Sequence, residues 1–191
     1  MRVGAVSRKT NETSVEAEVN LDGTGLCTVS TGFRFLDHML QTLSKHSLID
    51  IKLNASGDLR HHVVEDVGIA LGMALDRALS GREGVRRFGH AIVPMDEALA
   101  LAAVDLARRP RPEIALETRL EVVEDIPVSE IVHFLESFTT NLQAAIHVKV
   151  LAGADDHHKV EAAFKALAIA LRNAVEKDPR ATAIPSTKGV L

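Results

Sequence analysis

Tryptophan and tyrosine are absent from this chain, and six phenylalanines are its whole aromatic complement. Stacking platforms for single-stranded nucleic acid are therefore short of material. A net charge of −4 adds no general attraction to a polyanion, so no nucleic-acid partner is expected. Cys27 is the one cysteine, which excludes an intrachain disulfide and any thiolate metal cluster. Among small apolar neighbours it reads as a core thiol. No apolar run is long enough to span a bilayer. The opening Met1-Arg2-Val3-Gly4-Ala5 lacks the apolar stretch of a secretory signal. The expectation is a cytoplasmic protein with no membrane partner. With 46% hydrophobic and 25% charged residues over 191 positions, the chain can bury a substantial core as one large or two small domains.

What the chain does have, it has twice. His61-His62-Val63-Val64-Glu65 opens one apolar run and His157-His158-Lys159-Val160-Glu161 another, 96 positions later (157 − 61). Aligned from these histidines, His61–Leu79 and His157–Val175 share nine of nineteen residues. Each run has helical spacing, with Ile69, Ala70, Met73 and Ala74 in the first and Leu167, Ala168, Leu171 and Val175 in the second. On a helix, positions four apart lie about 40° from one another and adjacent ones about 100° apart. His61 and Glu65 thus share a face that His62 leaves. Each motif is built to give two ligands to one metal and a single histidine to another. A lone His-His pair reads as a surface patch or helix cap; two copies in one frame, each with its glutamate, favour metal. The metallopeptidase order His-Glu-x-x-His is absent.

Residues 2–30 read as strands, with Val15, Ala17, Val19 and Leu21 alternating against Glu16, Glu18 and Asn20 up to the Asp22-Gly23 turn. Glu12, just before this strand, has no structural duty in the pattern. Phe33–His46 reads as a helix with Phe35, Leu36, Met39, Leu40 and Leu43 as its stripe and His38 beside it. A short strand over Ile49–Leu53 and the Gly57-Asp58 turn lead into the first motif helix, which ends near Gly81. Strands follow over Arg86–Leu106, with a break expected at Pro94, and over Ile114–Leu120. The basic connector Arg108-Arg109-Pro110-Arg111-Pro112 between them suits a solvated loop or an anion site. Val128–Asn141 is a second amphipathic helix, and its His133 follows His38 by 95 (133 − 38). Ala144–Leu151 is a strand whose His147, among apolar neighbours, has a structural role. The second motif helix stops around Asp178-Pro179. The repeat therefore has helix, strand and motif helix in each half, pointing to two copies of one unit about a pseudo-twofold axis. The halves are placed at 1–92 and 93–191, together one compact unit. The tail through Ser186 and Lys188 is either a frayed end or an anion-binding loop.

From the angles alone, His61 and Glu65 group with His158, and His157 and Glu161 with His62. We assign His38 to the first set and His133 to the second. Imidazole and carboxylate donors without thiolate suit manganese, iron, nickel or zinc alike. Ligands that diverge from one helix need partners from another, and where that helix belongs to a second subunit, metal binding and assembly become one event.

Phe35-Leu36-Asp37-His38-Met39-Leu40, the doubled His-His-x-x-Glu, Pro94-Met95-Asp96-Glu97-Ala98-Leu99 and Pro185-Ser186-Thr187-Lys188-Gly189 together resemble the imidazoleglycerol-phosphate dehydratase family, from about Arg8 to Leu191. The resemblance, to the form without an attached phosphatase, implies an α+β fold. It would consist of two ferredoxin-like half-domains, each with a four-stranded sheet and two helices, helices outside or between the sheets. It implies assembly into a large hollow homo-oligomer (24-mer type) with active sites between subunits. It implies two Mn2+ per site, other divalent metals being possible, on His38, His61, His62, Glu65, His133, His157, His158 and Glu161.

The reaction implied is loss of water from D-erythro-imidazole glycerol phosphate to give imidazole acetol phosphate in histidine biosynthesis, through a metal-bound imidazolate and a diazafulvene-like intermediate. Glu12 then matches an acid/base group, with Glu161 beside the ring. Gln41 and His46 match substrate contacts, and Arg87, Arg109, Lys165, Ser186 and Lys188 match the phosphate-binding residues, Arg as a forked donor and Lys as a point charge. Two stretches depart from the pattern: the segment before His61 is a few residues short, and Ala107-Arg108-Arg109-Pro110 stands where Ser-Gly-Arg-Pro is usual. Two further readings of the same ligands are a di-metal hydrolase and a non-catalytic metal-binding assembly.

Overall fold

Residues 1–181 and 183–189 are described in the computed structural model. The first half runs β1 (Val3–Lys9), β2 (Thr13–Asn20), β3 (Cys27–Ser30), α1 (Arg34–Ser47), β4 (Asp50–Gly57) and α2 (Arg60–Leu79). The second half repeats this order as β5 (Phe88–Met95), β6 (Ala98–Asp105), β7 (Arg111–Ala115), α3 (Val128–Leu142), β10 (Ala145–Ala152) and α4 (Asp156–Val175). A small hairpin, β8 (Val122–Val123) and β9 (Ile126–Pro127), is inserted between β7 and α3. It lengthens the repeat: β7 follows β3 by 84 (111 − 27), while α3 follows α1 by 94 (128 − 34).

The sheets are ordered β1-β2-β4-β3 and β5-β6-β10-β7. In each, one parallel pair, β3 with β4 and β7 with β10, is joined through a helix, as parallel pairing requires. Alternation places Val15, Ala17 and Val19 inward and Glu16 and Glu18 outward on β2. The helices lie between the two sheets. α2 rests on β1, β2 and β4 and against α3, while α4 rests on β5, β6 and β10 and against α1. Phe134 stacks on Phe138 and on Phe164 with ring centroids 6.2 and 6.0 Å apart, all three rings fully buried. Truncating any one to alanine costs about 3–5 kcal/mol.

Two glycines set how closely helix and sheet approach. A Cβ at Gly4 would lie 2.0 Å from the Ala74 carbonyl oxygen, and one at Gly89 would lie 1.9 Å from that of Ala170. These are equivalent places in the two halves, and they seat α2 and α4 directly on their sheets.

Several expectations are corrected. Pro94 does not break the strand: β5 continues to Met95, and the turn falls at Asp96-Glu97. β5 is an edge strand, where the missing N–H of proline leaves no ladder bond unmade. β7 occupies 111–115 rather than 114–120, because Arg111 and Pro112 pair with Ala145 and Ile146 on the opposite edge. The division between residues 92 and 93 falls inside β5, and the sheets are connected through residues 80–87 instead. α4 ends at Val175, short of Asp178-Pro179. His147 is exposed, because the strand turns it outward while Ile146 and Val148 face the core. Cys27 is half-buried, its Sγ donating to the Leu40 carbonyl at 3.9 Å, and burial pushes its thiol up.

Candidate functional site

Helix pairing decides which histidines meet. Because α1 packs on α4, His38 stands beside His157 and Glu161; because α2 packs on α3, His133 stands beside His61 and Glu65. In each triad one nitrogen or carboxylate oxygen per residue lies within 4.8 Å of the others. The assignment of His38 to the His61 set and His133 to the His157 set is therefore reversed. Angular spacing fixes the faces of one helix but says nothing about which helix lies opposite.

In the first triad, Glu161 Oε2 is 3.5 Å from His38 Nε2 and 3.3 Å from His157 Nε2. Its other oxygen is 2.8 Å from Lys165 Nζ, one turn further along α4. Burial works to raise the Glu161 carboxyl, but the hydrogen bond and charge of Lys165, followed by those of His38, hold it below the usual range. His46 lies on α1 within reach of these charges; burial first and Lys165 second push its pKa down. Gln41 is exposed three residues after His38, on the same side of α1. In the second triad His133 Nε2 is 3.4 Å from Glu65 Oε1, and His61 stacks on His133 with centroids 5.1 Å apart.

His62 and His158 belong to neither triad. The expected grouping of His158 with His61 and Glu65, and of His62 with His157 and Glu161, is not formed within the one chain. Each ring stands edge-on to its neighbour in the motif, His61 or His157, with centroids 6.2 and 6.1 Å apart. Each meets a carboxylate on Nδ1: His62 meets Asp58 Oδ1 and His158 meets Glu97 Oε2, both at 2.8 Å. His157 Nδ1 likewise meets Glu124 Oε1 at 3.0 Å. The hydrogen bond to Asp58 raises the His62 pKa, with Glu12 adding to it, and Glu97 does the same to His158. Glu12 is exposed on the β1–β2 turn, its Oε2 3.7 Å from His62 Nδ1. The turn is held by Thr10 Oγ1, which accepts the N–H of Glu12 and Thr13, and by the Glu12 carbonyl, which accepts the N–H of Asp58.

The basic connector and the tail converge elsewhere. Arg87, Ala107, Arg108, Arg109, Ser186, Thr187 and Lys188 line a cavity of about 350 Å³. Arg87 fixes its wall, donating Nε to Asp105 at 2.7 Å and Nη1 to the Pro185 carbonyl at 2.8 Å. Of the expected phosphate residues, Arg87, Arg109, Ser186 and Lys188 are together here, while Lys165 stands at the first triad.

The donor sets fit a divalent ion. Two imidazoles and one carboxylate converge in each triad, and hard-to-borderline N and O donors suit such ions. A carboxylate on Nδ1 leaves Nε2 its lone pair, which is the usual outer support of a ligating histidine. The sequence reading missed these supports: Asp58, Glu97 and Glu124. Asp58 sits four residues before His62, a signal present in the sequence; Glu97 and Glu124 reach their rings only through tertiary contacts. Glu124 is brought by the β8–β9 hairpin, whose Asp125 also accepts the N–H of Arg34 and Phe35 at the start of α1.

A sequence model of imidazoleglycerol-phosphate dehydratase matches residues 31–171. The imidazoleglycerol-phosphate dehydratase of Rhodococcus jostii (strain RHA1) is 48% identical over 201 aligned positions, covering 100% of this chain and 98% of that protein. That of Methanocella arvoryzae is 48% identical over 194 positions, covering 100% of both. The crystal structure of the enzyme from Pyrococcus furiosus in complex with (S)-C348 superposes with a TM-score of 0.85 at 39% identity, over 97% of this chain and 100% of that one. The Staphylococcus aureus enzyme gives 0.82 at 28% identity, over 92% and 99%. Two sheets enclosing four helices, matched along the full length by such relatives, establish that the chain belongs to the imidazoleglycerol-phosphate dehydratase family, hydro-lyases of histidine biosynthesis.

Proposed function

We propose that this chain dehydrates D-erythro-imidazole glycerol phosphate to imidazole acetol phosphate with two divalent metals, manganese the leading candidate, at each site. The observation that carries the reading is the pair of like triads, His38/His157/Glu161 and His61/Glu65/His133, in a chain that also carries a separate cationic cavity. Bound there, the metals would act as Lewis acids that draw electron density from the imidazole ring, making the side-chain proton easier to remove.

The remaining work falls to side chains. A hydroxyl leaves the carbon next to the ring, a proton leaves the adjacent carbon, and the enol so formed regains a proton at carbon to give the ketone. Glu12 carries the proton: its backbone is tied down while its carboxylate stays exposed. Glu161, held as a carboxylate by Lys165, sits beside the ring, and Gln41, His46 and Lys165 contact the substrate. Arg87, Arg109, Ser186 and Lys188 receive the phosphate, with forked guanidinium and point-charge ammonium donors.

His62 and His158, outside the triads of their own chain, complete the coordination of sites on neighbouring copies. The active form is then a large homo-oligomer. Metal-stripped protein should be inactive on imidazole glycerol phosphate and regain turnover with Mn2+. Turnover that survives full chelation would sink the metal role, and no turnover with any divalent ion would sink the substrate. An unchanged monomer by mass, with and without chelator, would end the shared-site reading.

A further inference from the structure

The β1–β2 and β5–β6 turns occupy equivalent places in the duplicated fold. β5 follows β1 by 85 (88 − 3) and β6 follows β2 by 85 (98 − 13). The same interval separates Glu12 from Glu97 (97 − 12). The two glutamates are thus counterparts, yet their surroundings differ. Glu97 Oε1 accepts the N–H of Ala154 at 3.0 Å and of Asp155 at 2.8 Å, while its Oε2 meets His158 Nδ1 at 2.8 Å. Glu12 stands back at 3.7 Å from His62 Nδ1, and Asp58 takes the inner place at 2.8 Å. Asp58 is set by its own short bond from the Leu59 N–H, 2.7 Å to the same oxygen.

An ionised carboxylate only accepts hydrogen bonds, so a ring nitrogen held against it must carry the proton. In the neutral ring, the form that ligates, the other nitrogen then keeps its lone pair. At Glu97 the two amides pin one oxygen, which fixes the direction of the second and with it the orientation of the His158 ring.

We propose that Glu97 is a positioning residue that presents His158 Nε2 for metal binding, that Asp58 does the same for His62, and that this substitution releases the duplicated glutamate Glu12 for acid/base work. The inference rests on the reading of His62 and His158 as ligands. It makes the equivalent glutamates separable: one governs metal affinity and the other turnover. A Gln at position 97 satisfies either the two amides or the ring, not both. With its oxygen on the amides, its NH2 faces His158 and draws the proton to Nε2, the tautomer that cannot ligate.

The test uses the full-length chain in its native assembly, with Mn2+ alone as probe and free ion measured by electron paramagnetic resonance against a competing chelator. Glu97→Gln and Asp58→Asn should each weaken Mn2+ binding roughly 10- to 100-fold, the range for lost outer support. Glu12→Gln should bind as wild type. Circular dichroism and melting of the metal-free proteins establish folding. Should Glu97→Gln fail to fold, Asp58→Asn, whose side-chain hydrogen bonds among the described residues go to His62 and the neighbouring Leu59 N–H, carries the test. A His158→Gln protein with wild-type affinity would overturn the ligand reading itself. Loss in His158→Gln alongside wild-type binding by a folded Glu97→Gln would instead overturn the positioning role. A loss in Glu12→Gln equal to that in Glu97→Gln would overturn the division of labour.

Discussion

Gly89→Ala tests whether the spacing between helix and sheet sets the metal site. The new Cβ would lie 1.9 Å from the Ala170 carbonyl oxygen and 2.7 Å from the Ala174 nitrogen, both backbone atoms of α4 that no side-chain rotation can move aside. Reaching ordinary contact at 3.4 Å requires α4 to retreat from β5 by about 1.5 Å. Overpacking of this kind costs about 1–3 kcal/mol, and a backbone contact belongs at the upper end. The same helix carries His157, His158 and Glu161, and a functional constellation tolerates only about 0.5 Å of displacement. Mn2+ affinity should therefore fall at least roughly tenfold, beyond what lost stability explains. The control is Gly32→Ala: Gly32 has φ +86 with nothing within 4 Å of an added Cβ, so only local backbone strain of about 1 kcal/mol enters. Urea midpoints and Mn2+ titrations of the two variants give the answer. A Gly89→Ala protein that unfolds and binds Mn2+ as wild type does would refute the reasoning.

Glu12→Gln should lower kcat by roughly 10²- to 10⁴-fold, the span of a positioned acid/base group, as steady-state dehydration kinetics will report. Lys188→Ala should raise KM roughly tenfold with little change in kcat, since it removes one charge-assisted bond to phosphate; equal KM values in the two proteins would remove Lys188 from the site. Chelation should lower the melting temperature by roughly 5–10 °C, from about 2.7 kcal/mol of linkage at a hundredfold excess of metal over Kd. The Glu97 carboxyl is held at about 2, against an ordinary 4.5, by the Asp155 N–H and then by His158. The unfolded chain therefore takes up the proton first, and the stabilisation, complete above the ordinary value of 4.5, is lost as pH falls toward about 2. Urea midpoints of the metal-free protein should drop more across that window for wild type than for Glu97→Gln.

The duplication, the helices and the divergent faces of each His-His-x-x-Glu run were legible along the chain, because they depend on a period of 3.6 residues and on intervals counted in one dimension. The resemblance alone grouped Arg87, Arg109, Lys165, Ser186 and Lys188 as phosphate residues; that four of them line one cavity while Lys165 stands at the first triad was set by the tertiary structure. Prolines misled the strand reading at Pro94 and Pro112, since their cost depends on whether a strand lies at an edge, and edges exist only once the sheet is ordered. The pairing of His38 with His157 and of His133 with His61 was decided by tertiary structure alone. A helix specifies which of its faces is apolar and which carries ligands; which other helix meets that face is settled by packing, here by α1 on α4 and α2 on α3. The same holds for Glu97 and Glu124, whose duty at His158 and His157 arises from turns brought across from distant parts of the chain.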